Sequence, residues 1–188
     1  IPLITSSIMS KKLAEGIEGL VLDVKVGSAA FMKTVDDARR LAAAMVEVGE
    51  EMGKRVVAFL TRMDAPLGRM VGNACEVQES LDVLRGGGPQ DIVTLVETLT
   101  GAMVEIAHGV SAEEGVKRVR SSLQDGSAFK KWEAMVRAHG GDLSALPTHQ
   151  GETEIVALRD GYVTDIDGLE VGLVGVELGA GRTRSDQA

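Results

Sequence analysis

The composition of this 188-residue chain is that of an ordinary globular protein with an acidic balance. Hydrophobic residues make up 44% and charged residues 26%, but aromatic residues only 3%, so the core must consist of Ala, Val, Leu and Met. The formal net charge of −8 argues against a nucleic-acid-binding surface, because such surfaces need basic groups that replace the phosphate counterions.

The first third of the chain predicts a helix followed by a strand–helix–strand unit. The first helix is expected to begin at Pro2 and to end at Gly16. A nearly continuous aliphatic run over 19–26 predicts a buried parallel strand. Apolar residues then repeat at helical spacing over 35–52, and a second apolar strand is predicted over 55–61. Two parallel strands joined by a helix predict a right-handed βαβ unit.

Two loops follow the carboxyl ends of these predicted strands. They cover residues 27–31 after the first strand and 62–68 after the second. Ligands of open α/β sheets gather beyond the carboxyl ends of the strands. We therefore expect substrate-side residues in these two loops.

The middle of the chain is predicted to be helical. Four helices are expected at 73–84, 89–108, 112–123 and 127–138, separated by glycine-containing breaks. The glycine-rich stretch 140–151, which contains a proline, is the best candidate for a domain boundary. No internal repeat or low-complexity tract is visible in the sequence.

The last part of the chain predicts a β-hairpin and a short helix. Residues 154–159 and 162–166 flank an Asp-Gly pair, which suits a type I′ turn. A helix is expected over 169–178. The predicted fold class is therefore α/β, with a parallel-type sheet and βαβ unit, a helical region, and a truncated C-terminal α+β domain that starts with the hairpin.

The single cysteine, Cys75, excludes an internal disulfide and a cysteine metal cluster, and we expect it to be a small buried side chain. The three histidines, His108, His139 and His149, lack ligand spacing and are interpreted as helix-end or loop residues. No apolar run is long enough to span a membrane and no signal peptide is visible, so the expectation is a cytoplasmic protein without a membrane partner.

Ser7 and Lys11 are the most informative pair of polar residues. They lie four residues apart on the first predicted helix and therefore on one face, and Ile4 lies one turn before Ser7 on that face. A hydroxyl, an ammonium and an apolar wall could hold a flat, polar-edged ring such as a nucleobase. The alternative is an ordinary solvated pair, since Ser and Lys are common on exposed helix faces.

Several separated blocks of the sequence carry a more specific signal. The first runs over 2–32 and contains S-S-I-M-S-K-K and L-V-L-D-V-K-V-G-S-A-A-F-M; the second, over 60–80, contains M-D-A-P-L-G-R-M-V-G-N-A-C-E-V-Q-E-S. The others are D-G-Y-V-T-D-I-D at 160–167 and L-G-A-G-R at 178–182. In this order they resemble the thymidine/pyrimidine-nucleoside phosphorylase family. The resemblance covers most of the chain but only the middle and later part of such an enzyme.

The resemblance implies a domain organisation and an activity. Residues 1–16 would end the helical base-binding domain, 17–147 would form the α/β core, and 148–188 a truncated C-terminal α+β domain. The activity would be phosphorolysis, in which phosphate attacks the anomeric carbon of a pyrimidine nucleoside and releases the base and a pentose 1-phosphate. The implied partners are the nucleoside and inorganic phosphate, without an organic cofactor, and the full-length enzyme would be a homodimer.

The resemblance also assigns individual residues. Ser7 and Lys11 match the base-binding serine and lysine of the family, while Ile4 and Phe31 match apolar residues that line the base pocket. Core packing is the alternative for Phe31. The chain departs from common family patterns at Ala29, where glycine is usual, and at Arg62, where aspartate is frequent.

Some bacterial members of the family hold a structural monovalent cation, such as potassium. By resemblance, the carbonyl ligands would be Leu67 and Met70, and the carboxylate would be Glu79. Glu76 is the rival carboxylate, and an ordinary exposed helix glutamate is the alternative interpretation of Glu79. Hard cations prefer such oxygen ligands.

The family's phosphate-binding segment, of the type K-H-S-T-G-G-V-G-D, has no counterpart in these residues. The family's base-contacting arginine and tyrosine would lie ahead of Ile1. We therefore expect the chain alone to be inactive. Two classes of function remain: part of a pyrimidine-nucleoside phosphorylase, with AMP phosphorylase or a phosphoribosyltransferase-like enzyme as variants, or a non-catalytic binding remnant of the scaffold.

Overall fold

A computed structural model of the chain describes residues 1–147 and 151–181. The first half contains α1 (Pro2–Ala14), β1 (Gly19–Val26), α2 (Val35–Glu51) and β2 (Arg55–Arg62). The helices that follow are α3 (Ala74–Leu84), α4 (Gln90–His108), α5 (Ala112–Gln124), α6 (Ser127–Ala138) and α7 (Gly168–Gly175). A 3₁₀ turn at Leu143–Ala145 and a π-helical turn at Val176–Ala180 complete the described elements. The predicted α/β class is confirmed, as is each element predicted over 2–138.

The two strands form a parallel pair, in register from Gly19 opposite Arg55 to Val26 opposite Arg62. One face of this pair packs against α2 and α1 around a single core. The core cluster contains Met9, Val24, Met32, Ala38, Leu41, Ala42 and Met45. All buried apolar residues in the described ranges are Ala, Val, Leu or Met, as the low aromatic content predicts.

Helix α4 packs on the other face of the strands, near their amino-terminal ends. The Ile106 side chain lies directly on Gly19, whose side of the strand is opposite that of Val24. The Arg55 guanidinium also donates a hydrogen bond to the Ile106 carbonyl at 3.2 Å. The two-stranded pair is therefore covered by helices on both faces, as expected for parallel strands.

Helices α4 and α5 cross at a close approach. The Gly115 backbone lies so near the Gly101 carbonyl that an added Cβ would clash with that oxygen. Beside this contact, the Arg120 guanidinium binds both carboxylate oxygens of Glu97 at 2.9 and 2.8 Å. Within the described residues no single helix is long and apolar enough to cross a membrane; α4 and α5 satisfy that test only as a pair, bent by 114°.

The predicted hairpin over 154–159 and 162–166 is wrong. Residues 151–167 contain no strand in the structure, and their apolar side chains point into solvent, with Ile155 at 94% and Tyr162 at 97% exposure. A two-stranded hairpin is marginal by itself and needs a further strand or helix to cover its apolar face. The described residues supply no such layer. The helix expected over 169–178 is present as α7 and the turn after it.

The close contact between α4 and α5 predicts the effect of a single methyl group. Gly115→Ala should lower the free energy of unfolding by about 1–2 kcal/mol, because overpacking costs about 1–3 kcal/mol and exceeds the gain in helix propensity. Urea unfolding monitored by circular dichroism measures this loss. The matched control is Gly172→Ala in α7, where an added Cβ has no neighbour within 4 Å; an equal loss in both variants would contradict the explanation.

Candidate functional site

Helix α1 presents Ser7 and Lys11 on its exposed side. The helix starts with Pro2 in its first turn and carries Lys11 and Lys12 in its last, where cations interact favourably with the helix dipole. Both Ser7 and Lys11 are exposed. Within the described ranges neither of their side chains hydrogen-bonds to another residue, whereas Lys12 contacts Glu15 at 3.4 Å. The two donors are therefore available to a ligand.

Ile4 lies between this exposed face and the core. It is half-buried and packs against the core cluster together with Ile8, while Met9 of the same helix is almost completely buried. The apolar side of α1 thus fixes the rotation of the helix about its own axis. Because Met9 is held in the core, Ser7 and Lys11 are held on the exposed side. Ile4 can wall a ligand on one side only, because its other side contacts the core.

Phe31 lies in the loop between β1 and α2 and is 80% exposed. Its neighbour Met32 is buried in the core cluster and pairs with Val26 as an isolated bridge. The core-packing alternative for Phe31 is therefore wrong. Since Met9 and Met32 belong to one cluster, the structure brings α1 and the Phe31 loop together around the same core.

Glu79 is the one charged side chain that is buried among the described residues, with 6% exposure. Its carboxylate accepts hydrogen bonds from the backbone N–H groups of Arg69 at 3.0 Å and Met70 at 3.3 Å. The interpretation of Glu79 as an ordinary exposed helix residue is therefore wrong. Its carboxylate lies against the peptide groups of the loop in which the resemblance assigns the carbonyl ligands.

Two further carboxylates hold the same loop. Asp91, in the first turn of α4, accepts the Gly68 N–H at 2.8 Å, and Glu76 accepts the Gly72 N–H at 2.7 Å. The Gly68 N–H is the main reason why the pKa of Asp91 lies below its ordinary value. No sequence pattern singles out Asp91, and its one local signal is its position two residues after Pro89.

The donor set around this loop suits a hard cation. Across residues 1–147 and 151–181, no group of three or more His, Cys, Asp or Glu side chains could hold a metal ion, so a cation here would depend on backbone carbonyls. In that part of the chain the carbonyls of Leu67 and Met70 accept no hydrogen bond. Backbone carbonyls of this loop, together with the Glu79 carboxylate that binds its N–H groups, are the kind of oxygen ligands that such ions prefer.

Other sequence predictions have mixed outcomes. Cys75 is exposed rather than buried, because it lies in the first turn of α3, whose buried positions begin only at Glu79. His149 and Arg182 lie outside the described residues.

Arg62, which stands where aspartate is frequent in the family, has a structural partner. Its guanidinium Nε donates a hydrogen bond to the Asp64 carboxylate at 2.8 Å.

Comparison with known proteins assigns the family. The glycosyl transferase family, a/b domain, matches residues 1–129. The chain is 50% identical to thymidine phosphorylase of Mycobacterium tuberculosis (strain ATCC 25618 / H37Rv) over 98% of its length, which is 42% of that protein. It is 43% identical to pyrimidine-nucleoside phosphorylase of Staphylococcus aureus (strain NCTC 8325 / PS 47), over 99% of this chain and 45% of that protein. The chain spans less than half the length of these relatives, and it belongs to the glycosyl transferase family, a/b domain.

Proposed function

We propose that a protein of the relatives' full length carrying this chain catalyses the reversible phosphorolysis of pyrimidine nucleosides or deoxynucleosides. The products are the free base and ribose or deoxyribose 1-phosphate. The observation that carries the proposal is the pair of unpartnered donors, Ser7 and Lys11, on one rigid helix face. The names of the relatives, thymidine phosphorylase and pyrimidine-nucleoside phosphorylase, support pyrimidine nucleosides as the substrate class.

The proposed chemistry gives each side chain a role. As the glycosidic bond breaks, the departing base gathers negative charge, and donors fixed at its polar edge stabilise that charge more in the transition state than in the ground state. Lys11 supplies the ammonium and Ser7 a neutral hydroxyl donor. Ile4 and Phe31 supply apolar walls for the base. Inorganic phosphate is the nucleophile, and no organic cofactor takes part.

We further propose that the full-length protein is a cytoplasmic homodimer acting in pyrimidine salvage. The exposed apolar side chains at the start of α1, Ile1 at 38% and Leu3 at 83% exposure, support contact of this helix with further protein.

We also propose a structural potassium ion at the loop after β2. The carbonyls of Leu67 and Met70 and the buried Glu79 carboxylate would hold it, with remaining ligands supplied by further residues of the full-length protein. The support is the oxygen donor set and the burial of Glu79. The ion would supply fixed positive charge that holds this loop, and no step of the reaction depends on it directly.

The 188-residue chain alone should show no measurable phosphorolysis of thymidine or uridine. The residues present include no phosphate-binding segment of the family type, and catalysis by positioning fails without a site for the nucleophile. Release of free base by the purified chain, followed by ultraviolet absorbance, is the measurement. Turnover above the uncatalysed background would contradict this expectation, whereas activity of a full-length protein carrying the chain would eliminate the non-catalytic scaffold alternative.

Lys11→Ala in the full-length protein should lower kcat/KM by on the order of 10²–10³, the scale for removing one donor to developing negative charge. Ser7→Ala should cost about 1–3 kcal/mol, as loss of a neutral donor to a buried polar edge. Lys12→Ala is the matched control, because the neighbouring lysine contacts Glu15 instead. Equal kinetics for the two lysine variants would show that Lys11 is only a surface residue.

The proposed cation should stabilise the full-length protein. A ligand of the folded state present at ten times its Kd adds about 1.4 kcal/mol by mass action. We therefore expect a higher Tm in potassium chloride than in a matched salt of a large organic cation, and Glu79→Gln should erase the difference. Glu76→Gln is the control, since Glu76 contacts only the Gly72 N–H of this loop. Equal wild-type melting temperatures in both salts would refute the ion.

A further inference from the structure

Asp64, two residues beyond the carboxyl end of β2, connects three segments of the chain. Its carboxylate Oδ1 accepts the Ser28 backbone N–H at 2.8 Å, which joins it to the loop after β1. Its Oδ2 accepts Arg62 Nε at 2.8 Å. Its backbone carbonyl accepts the Gly168 N–H at 2.8 Å, at the start of α7. One residue of the loop after β2 thus bonds to the loop after β1 and to the first turn of α7.

The approach of Asp64 to the first loop is very close. Gly27 has φ of 140°, and a Cβ at this position would lie 2.5 Å from Asp64 Oδ1. Only glycine adopts this backbone conformation readily and leaves the carboxylate room. The sequence therefore meets both requirements of the contact: an acceptor at Asp64 and a residue without a side chain opposite it.

The contact is a charge-assisted hydrogen bond. The Ser28 N–H, and after it the Arg62 guanidinium, hold the pKa of Asp64 below its ordinary value. The carboxylate is therefore ionised at neutral pH, and hydrogen bonds to ionised acceptors are stronger than those between neutral groups. Ser28 Oγ adds a longer bond, 3.4 Å, to the Asp64 carbonyl.

The loop that Asp64 holds is the one that carries Phe31, three residues beyond Ser28. The Phe31 ring is 80% exposed, so packing does little to fix it, and its position depends on the backbone of the loop. The loop backbone is also tied by the Ala29 N–H to the Met63 carbonyl at 3.0 Å and by Lys33 Nζ to the Ser28 carbonyl at 2.6 Å. Among these three bonds, the Asp64 carboxylate is the one ionised acceptor, since the other two acceptors are backbone carbonyls.

We propose that Asp64 is a positioning residue for nucleobase binding: its carboxylate fixes the Ser28 end of the loop and thereby places Phe31 against the base. The inference rests on the proposed phosphorolysis. It goes beyond the residues that would touch the base, because Asp64 acts through the loop backbone. The side chain that the family resemblance marks as unusual, Arg62, binds the other carboxylate oxygen of Asp64.

The first test measures amide hydrogen exchange in the 188-residue chain by NMR. Asp64→Ala removes the acceptor for Ser28 but keeps the Asp64 carbonyl, so the Gly168 amide is an internal control. We expect exchange of the Ser28 amide to accelerate by on the order of tenfold or more, the scale of a lost bond to a charged acceptor, with Gly168 unchanged. Arg62→Gln should leave Ser28 protected, because the Ser28 bond does not require the guanidinium.

The second test measures kinetics of the full-length protein. Asp64→Ala should raise KM for the nucleoside on the order of tenfold while KM for phosphate changes less than about twofold, and Asp64→Asn, which keeps an oxygen acceptor, should recover most of the difference. Accelerated exchange at both Ser28 and Gly168 would show a general structural role and overturn the proposal. So would unchanged Ser28 exchange, or a parallel rise of both KM values.

The two tests separate the inference from the proposed function. A full-length wild-type protein without phosphorolysis would overturn the proposed function and, with it, the role of Asp64 in base binding, even if Ser28 exchange depends on Asp64. An active wild type with nucleoside KM unaffected by Asp64→Ala would overturn only the inference. If Asp64→Ala does not fold, Asp64→Leu, which also removes the acceptor but keeps a side chain of similar length, supplies the same two readings on Ser28 exchange and on nucleoside KM.

Discussion

The arrangement of the site depends on the packing of one α1 side chain, Met9, against the β-strands and α2. Met9 is 1% exposed and shares its core cluster with Val24 of β1 and with Met32 of the following loop. A helix attached through one buried face presents the opposite face in a fixed orientation. The exposed positions of Ser7 and Lys11 are therefore consequences of core packing. The same cluster anchors the loop that carries Phe31, so one apolar core positions both halves of the candidate base site.

The second determinant is the parallel register of β1 and β2. It brings the carboxyl ends of both strands to one edge, and the loops that leave this edge bond to each other: the Met63 N–H donates to the Val26 carbonyl at 2.7 Å. A parallel pair forces its connection to cross over through α2, which leaves this edge free of a tight turn. The edge can therefore carry functional loops, as is general for open α/β sheets.

The sequence predicted the regular elements of this fold because their patterns are local. Helical spacing over 35–52 and the aliphatic run over 19–26 report burial on one or both faces, and tertiary packing agrees with them. The hairpin around Asp160 failed because turn chemistry alone cannot supply the covering layer that a hairpin needs. Ser7 and Lys11 were found from helical spacing and resemblance together. Asp64 and Asp91 were missed, because each bonds to backbone groups 23 or more residues away and no sequence period encodes such a contact.

The hydrogen bonding of the carboxylates bears on how an acidic chain could accept the anionic co-substrate of the proposed reaction. A net charge of −8 would repel phosphate if the negative groups faced the edge unpaired. Instead, the carboxylates of the loop after β2 and its neighbours bind backbone N–H groups: Asp64 that of Ser28, Glu76 that of Gly72, Glu79 those of Arg69 and Met70, and Asp91 that of Gly68. Each of these bonds sets a backbone N–H dipole against the negative charge, and the Glu79 carboxylate is in addition buried. The exposed cation Lys11 forms no ion pair with an acidic side chain within residues 1–147 and 151–181. The electrostatic field near these loops is therefore set by the local hydrogen bonds of the carboxylates and not by the net charge of the chain alone.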